Sequence, residues 1–311
     1  MRYVMQFLQE ISWKGEIPLR RNRLLVEALK LAAEKQKNLE PSLTVNQLLE
    51  IRELFSQSPV PIFLYQLMFR MAGDGRGKHL LNVYADHPVV LHFKEQAGFR
   101  AGCFEIPDPQ TAFHFFLFHH LFHLKNSQCQ PGNLQNPAFA ADGELETFDV
   151  VISAPPFGPL YSDDFLQDDP YGRFTGADLS AKDGTAAYML HAFAHLNEMG
   201  KAVLLLNGSP LFQTGKRGSA RMVLLEQDAI EGVIALPAGL LRGSSIAVYL
   251  LILNKNKPEE FTNKVIFLDA GNLYETKQRT KFLSERLIRE IQDLYTGKNH
   301  RNSGKSCPSS K

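Results

Sequence analysis

Apolar residues follow two alternating patterns along the chain from Pro59 onward. Short, continuously apolar runs are typical of strands covered on both faces, and they alternate with stretches whose apolar positions have helical spacing. The predicted strands are 80–84, 102–106, 148–153, 201–206, 230–235, 246–253 and 265–268. The predicted helices are 62–71, 88–96, 110–124 and 186–199, the last with Gly200 as its C-cap. Strands separated by helices predict βαβ units and an α/β fold with a doubly wound, mostly parallel, Rossmann-like sheet.

The same patterns divide the chain into four regions. Residues 1–54 predict an abbreviated helical N-terminal region, interrupted at Pro41, that is too short for a core of its own. Residues 55–270 carry the alternating strands and helices of the main domain, and residues 271–297 predict a C-terminal helical extension. Residues 298–311 are polar and are predicted to be a disordered tail.

Composition narrows the class of protein. With 311 residues, 44% hydrophobic and 22% charged, the chain is an ordinary globular protein, and it lacks the apolar run of about 18 residues that a membrane helix needs. The N-terminus has no signal-peptide layout, so we expect a cytoplasmic location. A net charge of +1 excludes a polycationic nucleic-acid coat but not a local basic groove. Three cysteines (Cys103, Cys129 and Cys307) make neither a disulfide framework nor a zinc site.

The most informative strand end is the one after residues 148–153, where Ala154-Pro155-Pro156-Phe157 follow. Ligands of such sheets lie beyond the C-terminal ends of the strands. Two prolines beside an aromatic ring form a rigid shelf on which a flipped-out base can stack. The alternative is an ordinary loop at the edge of the sheet. Taken on its own, the sequence Pro-Pro-Phe favours this alternative.

This segment resembles the Asn-Pro-Pro-Phe signature of amino-methyltransferases. The later blocks resemble one branch of that group, the modification subunit of type I restriction–modification systems, whose members are adenine-N6 DNA methyltransferases. The resemblance covers roughly residues 56–297, and its blocks are 200–212, 221–226, 230–241, 248–257, 265–270 and 282–284. It implies an S-adenosylmethionine-dependent methyltransferase sheet, double-stranded DNA as substrate, and a DNA-specificity subunit and a restriction subunit as partners.

The resemblance also assigns the catalytic positions. The family's Asn or Asp accepts a hydrogen bond from the target amino group, and its Phe stacks on the base. Ala154 stands at the acceptor position, followed by Pro155, Pro156 and Phe157. A methyl group cannot accept a hydrogen bond, and by analogy the loss of one preorganised polar group costs about 10²–10³ in rate.

The implied cofactor positions are altered as well. The family's turn resembles Asp-Pro-Ala-Cys-Gly-Ser-Gly-Gly, and an ungapped match falls on residues 83–92. Ala85 then stands in the acidic position, and Val89 and Leu91 stand where glycines are expected, although Asp86 could partly replace the acid. Binding of S-adenosylmethionine is therefore doubtful. The ends of the next two strands match better, since the resemblance places Glu105 on the ribose hydroxyls and Asn133 on the adenine of the cofactor. Gly132-Asn133 is equally consistent with a plain turn.

Two further groups of residues are candidate sites. His119 and His123 lie four apart on a predicted helix, but with no third ligand and with phenylalanines around them we predict a packed helix and no metal. Lys216, Arg217 and Arg221 are the candidates for DNA contact, with a solvated loop as the alternative. Residues 126–172 contain acids and no Lys or Arg, which predicts an acidic rim at the shelf that would repel phosphate.

Altered positions in both the base site and the cofactor site form a coherent set. We therefore predict a methyltransferase fold whose catalysis is impaired or lost. The alternative is a non-catalytic DNA-binding or assembly module, or a decayed fragment of a modification subunit.

Overall fold

The computed structural model describes residues 58–121, 125–182 and 184–297. The eight helices of these residues are α1 Ile62–Ala72, α2 Val89–Gln96, α3 Pro109–Leu121, α4 Asp163–Gln167, α5 Thr185–Ala194, α6 Ser209–Phe212, α7 Ser219–Glu226 and α8 Glu285–Tyr295. The strands are β1 His79–Val83, β2 Ala101–Ile106, β3 Ser127–Pro131, β4 Ala140–Ala141, β5 Glu144–Leu145, β6 Phe148–Ser153, β7 Leu196–Asn207, β8 Ile230–Ala235, β9 Val248–Asn254, β10 Ile266–Asp269, β11 Glu275–Lys277 and β12 Thr280–Phe282.

Eight of these strands form one sheet in the order β10-β8-β9-β7-β6-β1-β2-β3. Strand β9 runs antiparallel to both of its neighbours, while the other pairings are parallel. The predicted α/β fold with a mostly parallel sheet is therefore confirmed. Two short hairpins, β4–β5 and β11–β12, stand outside this sheet.

Helices cover the central strands. Helix α5 contributes most of its residues to a buried cluster with Val151 of β6 and Leu204 of β7. Helix α1 also packs on β6 and β7, and eight of its eleven side chains are buried. The middle of the sheet is consequently shielded from water, which explains why its strands are continuously apolar in sequence.

The predicted helix 186–199 is wrong at its end. The helix stops at Ala194, and β7 begins at Leu196, which pairs with Phe148 of β6 before the register shifts. Gly200 lies within that irregular part of β7, where a Cβ would come within about 3 Å of Leu196 and of the Phe148 carbonyl oxygen. Pairing with β6 therefore overrides the helical spacing of the apolar residues.

Other expectations have different outcomes. The apolar pattern does not predict strand β3, because it is an edge strand whose side chains are mostly exposed. The predicted regions 1–54 and 298–311 lie outside the described residues, as do residues 122–124 of the predicted helix 110–124 and therefore His123. No helix of the described part is long and apolar enough to span a membrane.

Candidate functional site

Four neighbouring strands end at one edge of the sheet and bring the sequence-predicted residues together. Strands β6, β1, β2 and β3 are adjacent and parallel, so their carboxyl ends share that edge. The loop after β6 carries Ala154, the loop after β1 carries Asp86, and β2 ends with Glu105-Ile106. Asn133 follows β3. These residues therefore lie at the edge of the sheet where nucleotide ligands bind in such folds.

The shelf, Ala154 to Phe157, is held firmly in place. The Ser153 hydroxyl donates to the carbonyl oxygen of Val83 at 2.9 Å, which ties the end of β6 to the end of β1. The backbone N–H of Gly158, where φ is +64°, donates to the Thr185 hydroxyl at 2.9 Å. Ala154 is 5% exposed, whereas Pro156 and Phe157 are half-buried. The ring of Phe157 therefore remains partly open to solvent beside a position that has no side-chain acceptor.

The turn after β1 is filled by its own side chains. Ala85, Val89 and Leu91 are buried, and residues 84–96 contain no glycine. The backbone N–H of Val89, the first residue of α2, donates to Nδ1 of His87 at 3.1 Å. Helix N-termini bind anionic or polar ligand groups through such N–H groups. In this turn His87 satisfies one of them, and the positions that the resemblance assigns to glycines carry the buried side chains of Val89 and Leu91 on α2.

Asp86, the candidate replacement for the missing acid, is bound to the protein itself. Its Oδ2 accepts a hydrogen bond from the Ser58 hydroxyl at 2.7 Å, and its Oδ1 accepts one from the hydroxyl of Tyr65 on α1. Burial raises the pKa of Asp86 to about 6, and the two hydroxyl donors oppose that shift. The carboxylate thus fixes the segment before β1 instead of offering free acceptors at the turn.

Glu105 lies at the predicted strand end but points into the protein. It is 1% exposed, and its Oε2 accepts a hydrogen bond from the N–H of Ala138 at 2.9 Å. Its Oε1 is 3.9 Å from Nε2 of His191 and has no hydrogen-bond partner among the described residues. Burial raises the pKa of this carboxyl. A group so enclosed cannot receive ribose hydroxyls without moving.

Three residues around Glu105, namely Arg173, His191 and His195, carry no motif that singles them out in the sequence. Arg173 forms a bidentate ion pair with Asp169, and its Nη1 donates to the Leu134 carbonyl oxygen at 2.7 Å and to His191 Nδ1 at 3.1 Å. His191 lies on α5 and His195 is the C-cap of that helix, one turn further on, with ring centroids 4.7 Å apart. We call Glu105, Asp169, Arg173, His191 and His195 the buried polar cluster. The i, i+4 spacings of Asp169 with Arg173 and of His191 with His195 were the available signals.

Asn133 is part of a local turn. Its Oδ1 accepts hydrogen bonds from the backbone N–H groups of Gln135 at 2.9 Å and of Asn136 at 3.0 Å. This is the Asx-turn geometry that makes asparagine common in loops. The arrangement supports the plain-turn reading of Gly132-Asn133, and the implied contact with adenine stays a prediction.

The basic loop after β7 lies beside the shelf, because β7 and β6 are neighbours that end at the same edge. Lys216 pairs with Asp178 at 2.9 Å, and Arg217 donates to the Gln213 side chain at 2.8 Å. Arg221 donates to the carbonyl oxygens of Pro210 and Gln213, both at 3.0 Å, and so holds the loop together. DNA contact by Lys216, Arg217 and Arg221 stays a prediction.

The acids of the predicted rim do not all lie near the shelf. Asp149 accepts hydrogen bonds from the N–H of His79 and from Asn197, so it lies at the amino end of β6, five residues before Ala154 and about 16 Å away at 3.3 Å per residue. The β4–β5 hairpin precedes it in sequence, and Asp169 is neutralised by Arg173. The exposed acids that follow the shelf are Asp163, Asp164 and Asp168, and Asp163 lines a cavity of about 400 Å³.

The residues present do not fit S-adenosylmethionine. Asp86 is bound by Ser58 and Tyr65, Glu105 is enclosed, and buried Val89 and Leu91, in the first turn of α2, stand at the positions that the resemblance assigns to glycines. Within the described ranges, no group of three His, Cys, Asp or Glu residues is arranged to hold a metal ion. The site therefore combines the architecture of a nucleotide-binding edge with side chains that close it.

Comparison with known proteins identifies the relatives of this chain. The family model described as N-6 DNA Methylase matches residues 114–309. The MjaIX methylase subunit of a type I restriction enzyme from Methanocaldococcus jannaschii is 32% identical over 155 residues, which cover 48% of this chain and 28% of that relative. The MpnII methylase subunit from Mycoplasma pneumoniae is 31% identical over 156 residues, covering 49% and 28%. The chain thus spans less than a third of the length of these curated relatives.

Solved structures share the fold. The methyltransferase subunit of a type I restriction–modification system from Streptococcus thermophilus superposes with a TM-score of 0.70 at 21% identity, covering 81% of this chain and 56% of that one. A class I S-adenosylmethionine-dependent methyltransferase from Listeria monocytogenes gives a TM-score of 0.55 at 16% identity, covering 86% and 78%. At these identities the likeness establishes the sheet architecture, and it leaves the chemistry of the site to this chain's own residues.

Proposed function

Because this chain belongs to the N-6 DNA methylase family, we propose that it is a type I modification-subunit-like module in which adenine-N6 methyl transfer is impaired or lost. The family uses S-adenosylmethionine as methyl donor, so a working member must admit that molecule at the turn after its first strand. This chain's own residues at that turn and at the shelf support the proposal.

The turn after β1 carries the proposal. Ala85 provides no acid, and Val89 and Leu91 are buried where the family has glycines. Opening this turn would expose two apolar side chains, and each buried aliphatic side chain contributes about 1.5–3 kcal/mol. The cost of making room, about 3–6 kcal/mol for the two side chains, would therefore remove a large part of the free energy of a typical cofactor complex, about −8 kcal/mol at micromolar affinity.

The shelf supports the same proposal independently. A base amino group needs a hydrogen-bond acceptor to localise its lone pair, and the methyl group of Ala154 provides none. Pro155 and Pro156 still fix the backbone, and the half-buried ring of Phe157 can stack on a base. Base holding without activation of the amino group is the role that these residues fit.

Partners and location complete the proposal. We propose that the module associates with a DNA-specificity subunit, a restriction subunit and double-stranded DNA, as the names of its relatives suggest, and that it does so in the cytoplasm. Lys216 and Arg217 are the proposed phosphate contacts, since both lie in the loop beside the shelf. Arg221 supports them by holding that loop.

A co-purification and methylation experiment tests this function. The chain is co-expressed with the specificity subunit from the same genetic system, and the purified material is assayed for transfer of a radiolabelled methyl group to DNA. We expect a stable complex with no transfer above background. Robust transfer would contradict the loss of catalysis, and the absence of any complex would favour the decayed-fragment alternative.

A further inference from the structure

The buried polar cluster contains three polar atoms without a hydrogen-bond partner among the described residues. They are Oε1 of Glu105, Nε2 of His191 and Nε2 of His195. The three residues are 0–1% exposed, so bulk water does not reach these atoms. A buried polar atom without a partner costs about 1–3 kcal/mol, and three together are a substantial penalty for one small region.

The remaining contacts of the two histidines fix where their protons lie. Arginine only donates, so the contact from Arg173 Nη1 makes Nδ1 of His191 an acceptor and leaves the proton on its Nε2. A carbonyl oxygen only accepts, so Nδ1 of His195 donates to the Glu146 oxygen at 2.7 Å. In neutral His195, Nε2 is then a bare acceptor.

The three atoms therefore present one donor and two acceptors. The donor is His191 Nε2–H, and the acceptors are His195 Nε2 and Glu105 Oε1. The distance of 3.9 Å between Glu105 Oε1 and His191 Nε2 is too long for a direct hydrogen bond, but a third atom can lie about 2.8 Å from both. A water molecule has two O–H donors and two acceptor lone pairs, so both donors and one lone pair match this set.

We propose that Glu105, His191 and His195 form a binding site for a single internal water molecule. The water accepts from His191 Nε2–H and donates to His195 Nε2 and to Glu105 Oε1. Buried waters typically make about three hydrogen bonds to polar groups that have no other partner. The water links the end of β2 to helix α5 and so holds the Glu105 carboxylate inside the protein, away from the sheet edge.

A metal ion is a poorer occupant of this site. Two histidines and a glutamate resemble a set of metal ligands, but an imidazole nitrogen that carries a proton cannot coordinate a metal. Arg173 keeps the proton on Nε2 of His191. The site shares Glu105 with the implied ribose contact, but its test reads the position of a water molecule and two histidine tautomers, so it does not depend on the loss of methyl transfer.

Two measurements on the full chain test this site. A crystal structure at about 1.5 Å resolution should show a water peak within about 2.6–3.2 Å of the three atoms. Histidine ¹⁵N NMR at neutral pH should show the Nε2–H tautomer for His191 and the Nδ1–H tautomer for His195. A direct Glu105–His191 hydrogen bond without a water peak, a metal ion at about 2.1 Å, or the opposite tautomers would overturn the proposal.

A variant pair sharpens the crystallographic test. His195→Asn keeps a donor in place of Nδ1–H and removes Nε2, so the water should lose a partner and its occupancy should fall by half or more. His92→Asn changes a half-buried histidine outside the cluster and should leave the water in place. Equal occupancy in both variants would contradict the role of His195. If His195→Asn does not fold, the wild-type crystal structure and tautomers still decide.

Discussion

The carboxylate of Asp86 accepts a hydrogen bond from the Ser58 hydroxyl at 2.7 Å. This contact joins the turn after β1 to the segment that leads into α1, and the Tyr65 hydroxyl adds a second donor. The acid closest to the family's cofactor-binding position is therefore used for internal packing. A ligand that used this carboxylate would have to share it with both hydroxyl donors.

Asp86→Asn is expected to change how stability depends on pH. The pKa of Asp86 is about 6 in the folded protein and about 3.9 when unfolded, so its carboxyl binds protons more tightly in the folded state. Its contribution to stability is therefore fully present below pH 4 and declines as pH rises from about 4 to 6. The half-buried position limits the change to about 1–2 kcal/mol.

Urea unfolding at pH 4, 5, 6 and 7 measures this effect. The free energy of unfolding of the wild type, minus that of Asp86→Asn, should fall between pH 4 and 6. Asp74→Asn serves as the control, because Asp74 is exposed and its hydrogen bonds to Arg76 lower its pKa. A difference that stays constant across this range would contradict the burial of Asp86.

His195 is expected to make the protein sensitive to acid. Burial and the neighbouring His191 lower the pKa of His195 to about 3, against about 6.5 in the unfolded chain. Its contribution to stability is present above pH 6.5 and is lost as pH falls toward 3, by about 3 kcal/mol at pH 4. The free energy of unfolding of the wild type, minus that of His195→Asn, should therefore fall from pH 7 to pH 4. The same difference for the exposed His79→Asn should not fall. A difference in the free energy of unfolding between wild type and His195→Asn that stays constant with pH would refute this assignment.

Arg173→Met should destabilise the protein strongly. The substitution leaves Asp169 buried without its partner and removes the hydrogen bonds to Leu134 and His191, with an expected cost of about 3–5 kcal/mol. Arg286→Met removes exposed ion pairs with Glu290 and Glu275 and should cost about 0–1 kcal/mol. Chemical denaturation measures the loss in free energy of unfolding for both variants. Similar losses in the two variants would show that the cluster does not stabilise the fold as described.

Ala154→Asn alone should not restore methyl transfer. The variant regains an acceptor at the shelf, but the turn after β1 remains filled by Val89 and Leu91. Incorporation of a labelled methyl group into adenine-containing DNA should stay at background, with circular dichroism confirming that the variant is folded. Measurable transfer by this single variant would place the defect at the shelf alone.

The sequence predicted most of the sheet because its central strands are covered on both faces and therefore continuously apolar. It failed at residues 196–199, where spacing typical of a helix was overridden by the pairing of Leu196 with Phe148. It placed Glu105 correctly at the end of β2, since strand position follows from local pattern. The inward direction of that side chain depends on His191 and Ala138, which are distant in sequence, and no local pattern reports such contacts.

Calorimetric titration with S-adenosylmethionine tests the central claim most directly. A catalytically active family member that retains the glycine-rich turn serves as the positive control under the same conditions. The closed turn after β1 predicts no detectable heat of binding for this chain, or binding no tighter than a millimolar dissociation constant, about −4 kcal/mol. A micromolar dissociation constant, about −8 kcal/mol, would contradict the claim that the turn excludes the cofactor.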